Sequence, residues 1–279
     1  MNKQPQRAHP LNAIPLPGLV DPHDLSADRQ FSMNLARGME VLRAFTASTP
    51  LLGNREISDR TGLPKPTVSR LTYTLTLLGY LSRDAQLQKY RLGPGVLSLG
   101  HPLLASMPVR QLAKPLMESL ARTTGCTVNL GMRDRDQLVY IDSVRADSTN
   151  QHLPDIGTTR PLLPSAMGRA LILACLPAEQ AAILNYLKVK NRADFDQYRA
   201  TWEADKKLFT THGYCHSKGD WQKEIHAIAV PVRSPLGDTP LALNCTISAH
   251  RAPRDRLSRE VVPLLKEAVH QLEIAQGLR

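Results

Sequence analysis

Aromatic side chains make up only 5% of this 279-residue chain, so its cores must be built mainly from aliphatic residues. Cysteine is scarce too: Cys126, Cys175, Cys215 and Cys245 lie far apart and form no CxxC pair. With no leader peptide in view, they read as reduced, packed thiols of a cytoplasmic protein. No apolar run approaches the roughly 18 residues that a membrane span requires, which excludes insertion into a bilayer. Catalytic motifs are missing as well. There is no GxSxG elbow and no Walker loop, and Gly93-Pro94-Gly95 lacks the further glycine and helix start of a dinucleotide loop. The sequence therefore points to no enzyme and no cofactor. His212, Cys215, His216 and His226 are close in sequence, but H-x-x-C-H without a fourth ligand does not make a metal site, and none is assigned.

Acidic residues are also in deficit. The formal charge is +10, and the excess is unevenly placed. Between Arg29 and Arg91 there are ten lysines and arginines against four aspartates and glutamates. A concentrated basic excess favours a polyanionic partner, whereas charge serving solubility alone would be spread along the chain.

Within that basic region, residues 54–79 read as two helices joined by a tight turn. Ile57 gives the first helix its apolar side, and Gly62 suits the left-handed residue of the turn. Pro64 and Pro66 are tolerated in the opening turn of the second helix, whose amides lack partners in any case. Val68, Leu71, Leu75 and Leu78 recur at helical spacing and form the expected buried stripe. The other face carries Lys65, Pro66, Thr67, Ser69, Arg70 and Tyr73, polar and basic without a carboxylate. Such a face can donate to phosphates and base edges. The same residues also fit an ordinary αα-hairpin with a solvated face. After them, residues 80–83 and 89–92 read as strands of a hairpin that places Arg83, Lys89 and Arg91 beside the helix. A hairpin there is the wing of a winged helix, whose cations meet the phosphate backbone.

The segments SMNLARGMEVLRAF, LPKPTVSRL, GYLSRD and KYRLG, in that order over residues 32–93, together resemble the IclR family of bacterial transcriptional regulators. The resemblance implies a double-stranded DNA operator, a small-molecule effector, and a homodimer or homotetramer in which the first helix helps to pair the DNA-binding domains. A winged helix that binds protein rather than DNA is the alternative, and the basic excess argues against it.

Residues 1–30, with five prolines and no sustained apolar period, read as a flexible extension. The DNA-binding domain is expected over residues 31–93. Its first helix runs from Ser32, a suitable N-cap, with Leu35, Met39, Leu42 and Phe45 buried. A linker helix should occupy residues 94–107, bent or interrupted at His101-Pro102, and a second domain residues 108–279. There, Val109, Leu112, Leu116 and Leu120 mark a helix. Alternation then places Val128, Leu130 and Met132 on one strand, and Leu138, Tyr140 and Val144 on its partner. Later strands are expected at residues 225–232 and 241–247, and a closing helix at 253–278, kinked at Pro263.

Gly157 and then Pro161 to Ala170 match a second family stretch, G-x-x-x-P-L-x-x-[ST]-A-x-G-[KR]-A. By resemblance the second domain is a GAF-like effector-binding domain, so the fold class is α+β: a winged helix-turn-helix, a linker helix and a GAF-like domain. Ser165 caps a helix whose first amides favour an anion, with Ala166, Met167 and Gly168 beside it. The segment Cys215 to Trp221 corresponds to the family's pocket loop, but it lacks the usual acidic cluster and retains Asp220 and Trp221. Asn244 and Thr246 share one face of a strand, and Ala227 lies on the neighbouring one. These ten residues are the expected effector site, and its chemistry suits a small organic acid, with Trp221 favouring an aromatic one.

Overall fold

The computed structural model describes residues 16, 18–20, 22–145, 156–234, 239–251 and 255–278. The chain divides into two compact units: Val20–Ser106, and Met107–Arg279 together with the Met1–Leu19 segment.

In the first unit, three helices pack against one another. They are α1 (Met33–Arg43), α2 (Asn54–Thr61) and α3 (Lys65–Leu77). Ser32 caps α1 by accepting the Leu35 amide. The buried side of α1 is not the expected stripe. Val41 and Phe45 turn inward, while Leu35 and Met39 are 66% and 45% exposed. The phase is set by Gly38, which faces Leu71 of α3 and shares a helix side with Val41 and Phe45. Gly62, at φ +70°, makes the turn between α2 and α3 and donates its amide to Ser58 O. In α3, Val68 and Leu75 are buried as expected, together with Thr72, whose hydroxyl donates to Val68 O. Leu78 caps the end of α3 and is exposed, a departure caused by the helix ending at Leu77, just before Gly79 at φ +78°. The wing follows as β1 (Leu81–Asp84) and β2 (Lys89–Leu92), antiparallel with Arg83 opposite Tyr90. Helix α4 (Pro94–Ala105) then runs through Pro102 without interruption and buries no residue within its own unit.

The second unit is a six-stranded sheet in the order β5-β4-β3-β8-β7-β6, with neighbouring strands antiparallel. The strands are β3 (Thr127–Asp134), β4 (Gln137–Val144), β5 (Thr159–Pro161), β6 (Cys215–Lys218), β7 (Ile225–Val232) and β8 (Leu241–Ser248). Helix α5 (Pro108–Thr124) packs on β3 and β4, and α9 (Val262–Ala275) on β7 and β8. The small helix α6 (Ala166–Leu173) lies over β6, β7 and β8, backed by α7 (Pro177–Lys190) and α8 (Arg192–His212). Leu138, Tyr140, Met167, Ile172, Trp202 and Ala229 belong to one core between them.

Three expectations change here. In α5 the buried stripe is Val109, Ala113, Met117, Leu120 and Ala121, whereas Leu112 is 36% exposed. In β4 a bulge opposite Leu130/Gly131 inserts one residue at Ile141. The bulge reverses the alternation, so Tyr140 and Ser143 share a face while Val144 lies opposite Val128 on the other. At the C-terminus a π-helical turn, Leu257–Val261, precedes α9, and Pro263 sits in the first turn of α9. The extra residue of the π turn rotates the phase, leaving Leu264 and Ile274 exposed and burying Val262 and Val269.

The extension also differs from a passive tail where it is described. Leu16 is 7% exposed within the second unit's core, and Leu19 packs beside it. The Arg135 guanidinium donates to Gly18 O at 3.3 Å. Burying two leucines supplies the order that proline-rich composition alone does not predict.

Candidate nucleic-acid interface and effector pocket

On α3, Lys65, Pro66, Ser69, Arg70 and Tyr73 are exposed along one face and Thr67 is half-buried. The helix contains no acidic residue, so nothing on it repels a phosphate. The wing cations are not equivalent. Lys89 Nζ sits 3.0 Å from Glu56 Oε1, bracing the wing against α2. Glu56 also accepts the Gly53 amide, and this bond, followed by the Lys89 contact, lowers its pKa. Arg83 donates to the Gln88 side chain across the wing turn. Arg91 is exposed on β2.

In the second unit, a cavity of about 70 Å³ opens between β4, β5, the start of α6 and strands β6 to β8. It is lined by Tyr140, Arg160, Ser165, Ala166, Ser217, Trp221, Gln222, Ile225, Ala227, Asn244 and Thr246. Six of the expected residues are therefore together: Ser165, Ala166, Trp221, Ala227, Asn244 and Thr246. The other four lie elsewhere. Met167 is 1% exposed under Gly131, Gly168 abuts Leu162, and Cys215 is in the core. Asp220 turns to Arg169, 2.9 Å away.

Sequence reasoning missed Tyr140, Arg160, Ser217, Gln222 and Ile225. Alternation with Leu138 makes Tyr140 read as core, although it lines the cavity with Asn244, and burial raises its pKa while Arg160 and the Asn244 side chain oppose the rise. Arg160 is the unspecified position just before Pro161 within the family stretch, and its place there was the available signal. Behind the cavity, Asn129 Nδ2 donates to Asn244 Oδ1 at 2.8 Å, and Ser143 Oγ donates to Asn129 Oδ1 at 2.7 Å. This row spans three strands and fixes the amide of Asn244. Ser165 Oγ accepts the Gly168 amide and donates to Pro161 O, so it holds the start of α6 in place.

Among the described residues that line the cavity, Arg160 is the one with a formal charge, and no carboxylate joins it. The described residues also include no group of three or more His, Cys, Asp or Glu side chains that converges as a metal set. His216 is instead half-buried, and burial pushes its imidazole pKa down to about 4, with Lys218 and His226 adding to the effect.

A wider groove of about 680 Å³ lies where β7 runs past the end of β6. Its strand edge is blunted, because Pro231 has no amide hydrogen and Glu273 accepts the Arg233 amide at 2.8 Å. Glu273 also binds the Arg233 guanidinium. The smaller cavity is the better candidate site, because polar groups converge in it from four strands and a helix start.

Residues 34–85 match the IclR helix-turn-helix domain, and residues 101–274 match the family described as bacterial transcriptional regulator IclR C-terminal. This protein belongs to the IclR family. It is a transcriptional regulator and not an enzyme. The regulator TsaQ1/TsaQ2 of Comamonas testosteroni is 30% identical over 242 residues, covering 86% of this chain and 87% of the relative. The Pca regulon regulatory protein of Pseudomonas putida is 28% identical, with 96% and 95% covered. The crystal structure of an IclR-family regulator from Brucella abortus superposes with a TM-score of 0.82 at 40% identity, over 89% of this chain and 94% of that one.

Proposed function

We propose that this IclR-family regulator reads an operator with the Lys65–Arg70 face of α3, flanked by Arg91, and senses a small aromatic carboxylate in the Asn244 cavity. The observation that carries the effector class is the lining itself. Residues from five strands, the start of α6 and the Trp221–Gln222 loop converge on one cavity, and the formal charge among its described lining residues is a cation. Arg160 suits the carboxylate, Trp221 and Tyr140 suit a flat apolar body, and Asn244, Thr246 and Ser217 offer hydrogen bonds. The 70 Å³ space is below the ~300 Å³ at the lower end of small-molecule sites. Entry therefore requires outward movement of the Trp221 side chain, which is 46% exposed.

Operator binding by a homodimer or homotetramer would place recognition helices in successive major grooves. The ligand acts by preferring one arrangement of the assembly over another. Such coupling is typically about 1–3 kcal/mol, a roughly 5- to 150-fold change in occupancy.

The test is a thermal-shift panel on the full chain with keto acids, aromatic mono- and dicarboxylates and neutral analogues. A ligand at about 100 times its dissociation constant adds roughly 2.7 kcal/mol of stability. Stabilisation by aromatic acids, lost in Asn244→Ala, supports the reading, and indifference to every acid removes it. Duplex binding that does not weaken with salt would instead favour a protein-binding winged helix.

A further inference from the structure

Arg169 is the largest fully buried side chain among the described residues, at 0% exposed. A guanidinium taken out of water requires both charge neutralisation and hydrogen-bond acceptors. Arg169 has both: it donates to Asp205 Oδ2 at 2.6 Å, Leu163 O at 2.6 Å, His216 O at 2.9 Å and Asp220 Oδ2 at 2.9 Å. Asp205 alone balances the charge, and it is itself held by the His216 amide. Asp220 is a second carboxylate on an arginine that is already paired.

The position of Asp220 explains the redundancy. Its amide donates to Ser217 Oγ and its carbonyl accepts from Tyr198, so the residue is held at three points. The next two residues, Trp221 and Gln222, line the cavity. Arg169 belongs to α6, whose first residues, Ser165 and Ala166, form another part of the wall. A single guanidinium thus spans two walls of the same pocket.

Resting on the reading of this cavity as the effector site, we propose that Arg169 and Asp220 are its positioning pair. Their contact fixes the Trp221 wall relative to the start of α6. It also turns the loop's carboxylate away from the cavity, which leaves Arg160 as the formal charge among the described lining residues. Asp220 is a positioning residue and does not touch the ligand.

The experiment uses the full chain and needs no ligand. Acrylamide quenching and anisotropy report on exposed Trp221, and a Trp221→Phe variant subtracts buried Trp202. Asp220→Ala should raise the Trp221 quenching constant about twofold and lower its anisotropy, because a local segment is released while the core is not. Asp220→Asn keeps an acceptor oxygen for Arg169 and should stay near wild type. Unchanged Trp221 signals in Asp220→Ala, or equal loosening in both variants, would overturn the pair. Loss of the folded circular dichroism signal in both would assign Asp220 to global folding and overturn the pair equally. As an independent check in the wild-type chain, the Asp220 amide should exchange more slowly than that of Lys223, and equal rates count against the proposal. A chain that passes this test but binds no acid in the thermal-shift panel loses the effector reading and keeps the positioning pair.

Discussion

At the residue scale, charges of the same sign do different work according to what lies beside them. Arg70 stands on an exposed helix face, whereas Lys89 is held at 3.0 Å by Glu56. Arg70→Ala should therefore weaken duplex binding and reduce the slope of log affinity against log salt by about 1. Lys89→Ala should leave that slope nearly unchanged. Fluorescence polarisation on a labelled double-stranded DNA of mixed sequence, at several salt concentrations, checks both. His216 makes a pH prediction. Burial holds its folded-state pKa at about 4, below the ordinary 6.5, so the unfolded chain takes up a proton first as pH falls. The stability that its neutral form allows is present above pH 6.5 and is lost as pH drops toward 4. Calorimetry should show the melting temperature falling across that window, and His216→Gln should flatten this part of the profile.

At the scale of elements, two glycines separate backbone conformation from packing. Gly62 occupies φ +70°, and a side-chain carbon added there would meet nothing within 4 Å, so Gly62→Ala carries only the left-handed penalty, about 1–2 kcal/mol. Gly168 lies in ordinary helical backbone, but an added carbon would come 2.2 Å from Leu162 O. Gly168→Ala must push α6 away from the Pro161–Ser165 segment, at about 1–3 kcal/mol or more. Denaturant unfolding measures both, and only Gly168→Ala should also change the environment of Trp221. The β4 bulge works at the same scale. It brings Ser143 to the face that Tyr140 already occupies, and Arg110 of α5 donates to the Ile141 carbonyl that the bulge leaves without a strand partner.

For the whole molecule, the chain enters the DNA-binding unit at Val20 from a segment anchored in the regulatory unit, and returns to the regulatory unit at Met107. The DNA-binding unit is thus connected to its regulator at both ends of its sequence. Leu16→Asp places a charge at a position that is 7% exposed and should release the anchor. Faster hydrogen exchange at the Arg135-Asp136 turn and at the Leu19 amide, with the exchange of α1 to α3 unchanged, is the expected result. Equal exchange in both chains would mean that the segment is not held.

Local chemistry determined much of this protein directly. Gly62, Pro64 and the pattern of residues 65–73 are sufficient to predict two helices joined by a tight turn, because turn and cap geometry depend on neighbours in the chain. Ser165 was legible as a cap for the same reason. Which apolar stripe faces inward was not: Gly38, the β4 bulge and the π turn each reset a periodicity that the residue pattern alone carries forward. Nor was the division of the pocket residues. Asp220 and Trp221 are adjacent in sequence, yet one is drawn to a buried guanidinium and the other to the cavity. Arg160, Tyr140 and Asn244 are distant in sequence and meet there. A side chain's partners across a sheet are set by register and by the demand that every buried charge be matched, and both are properties of the assembled tertiary structure.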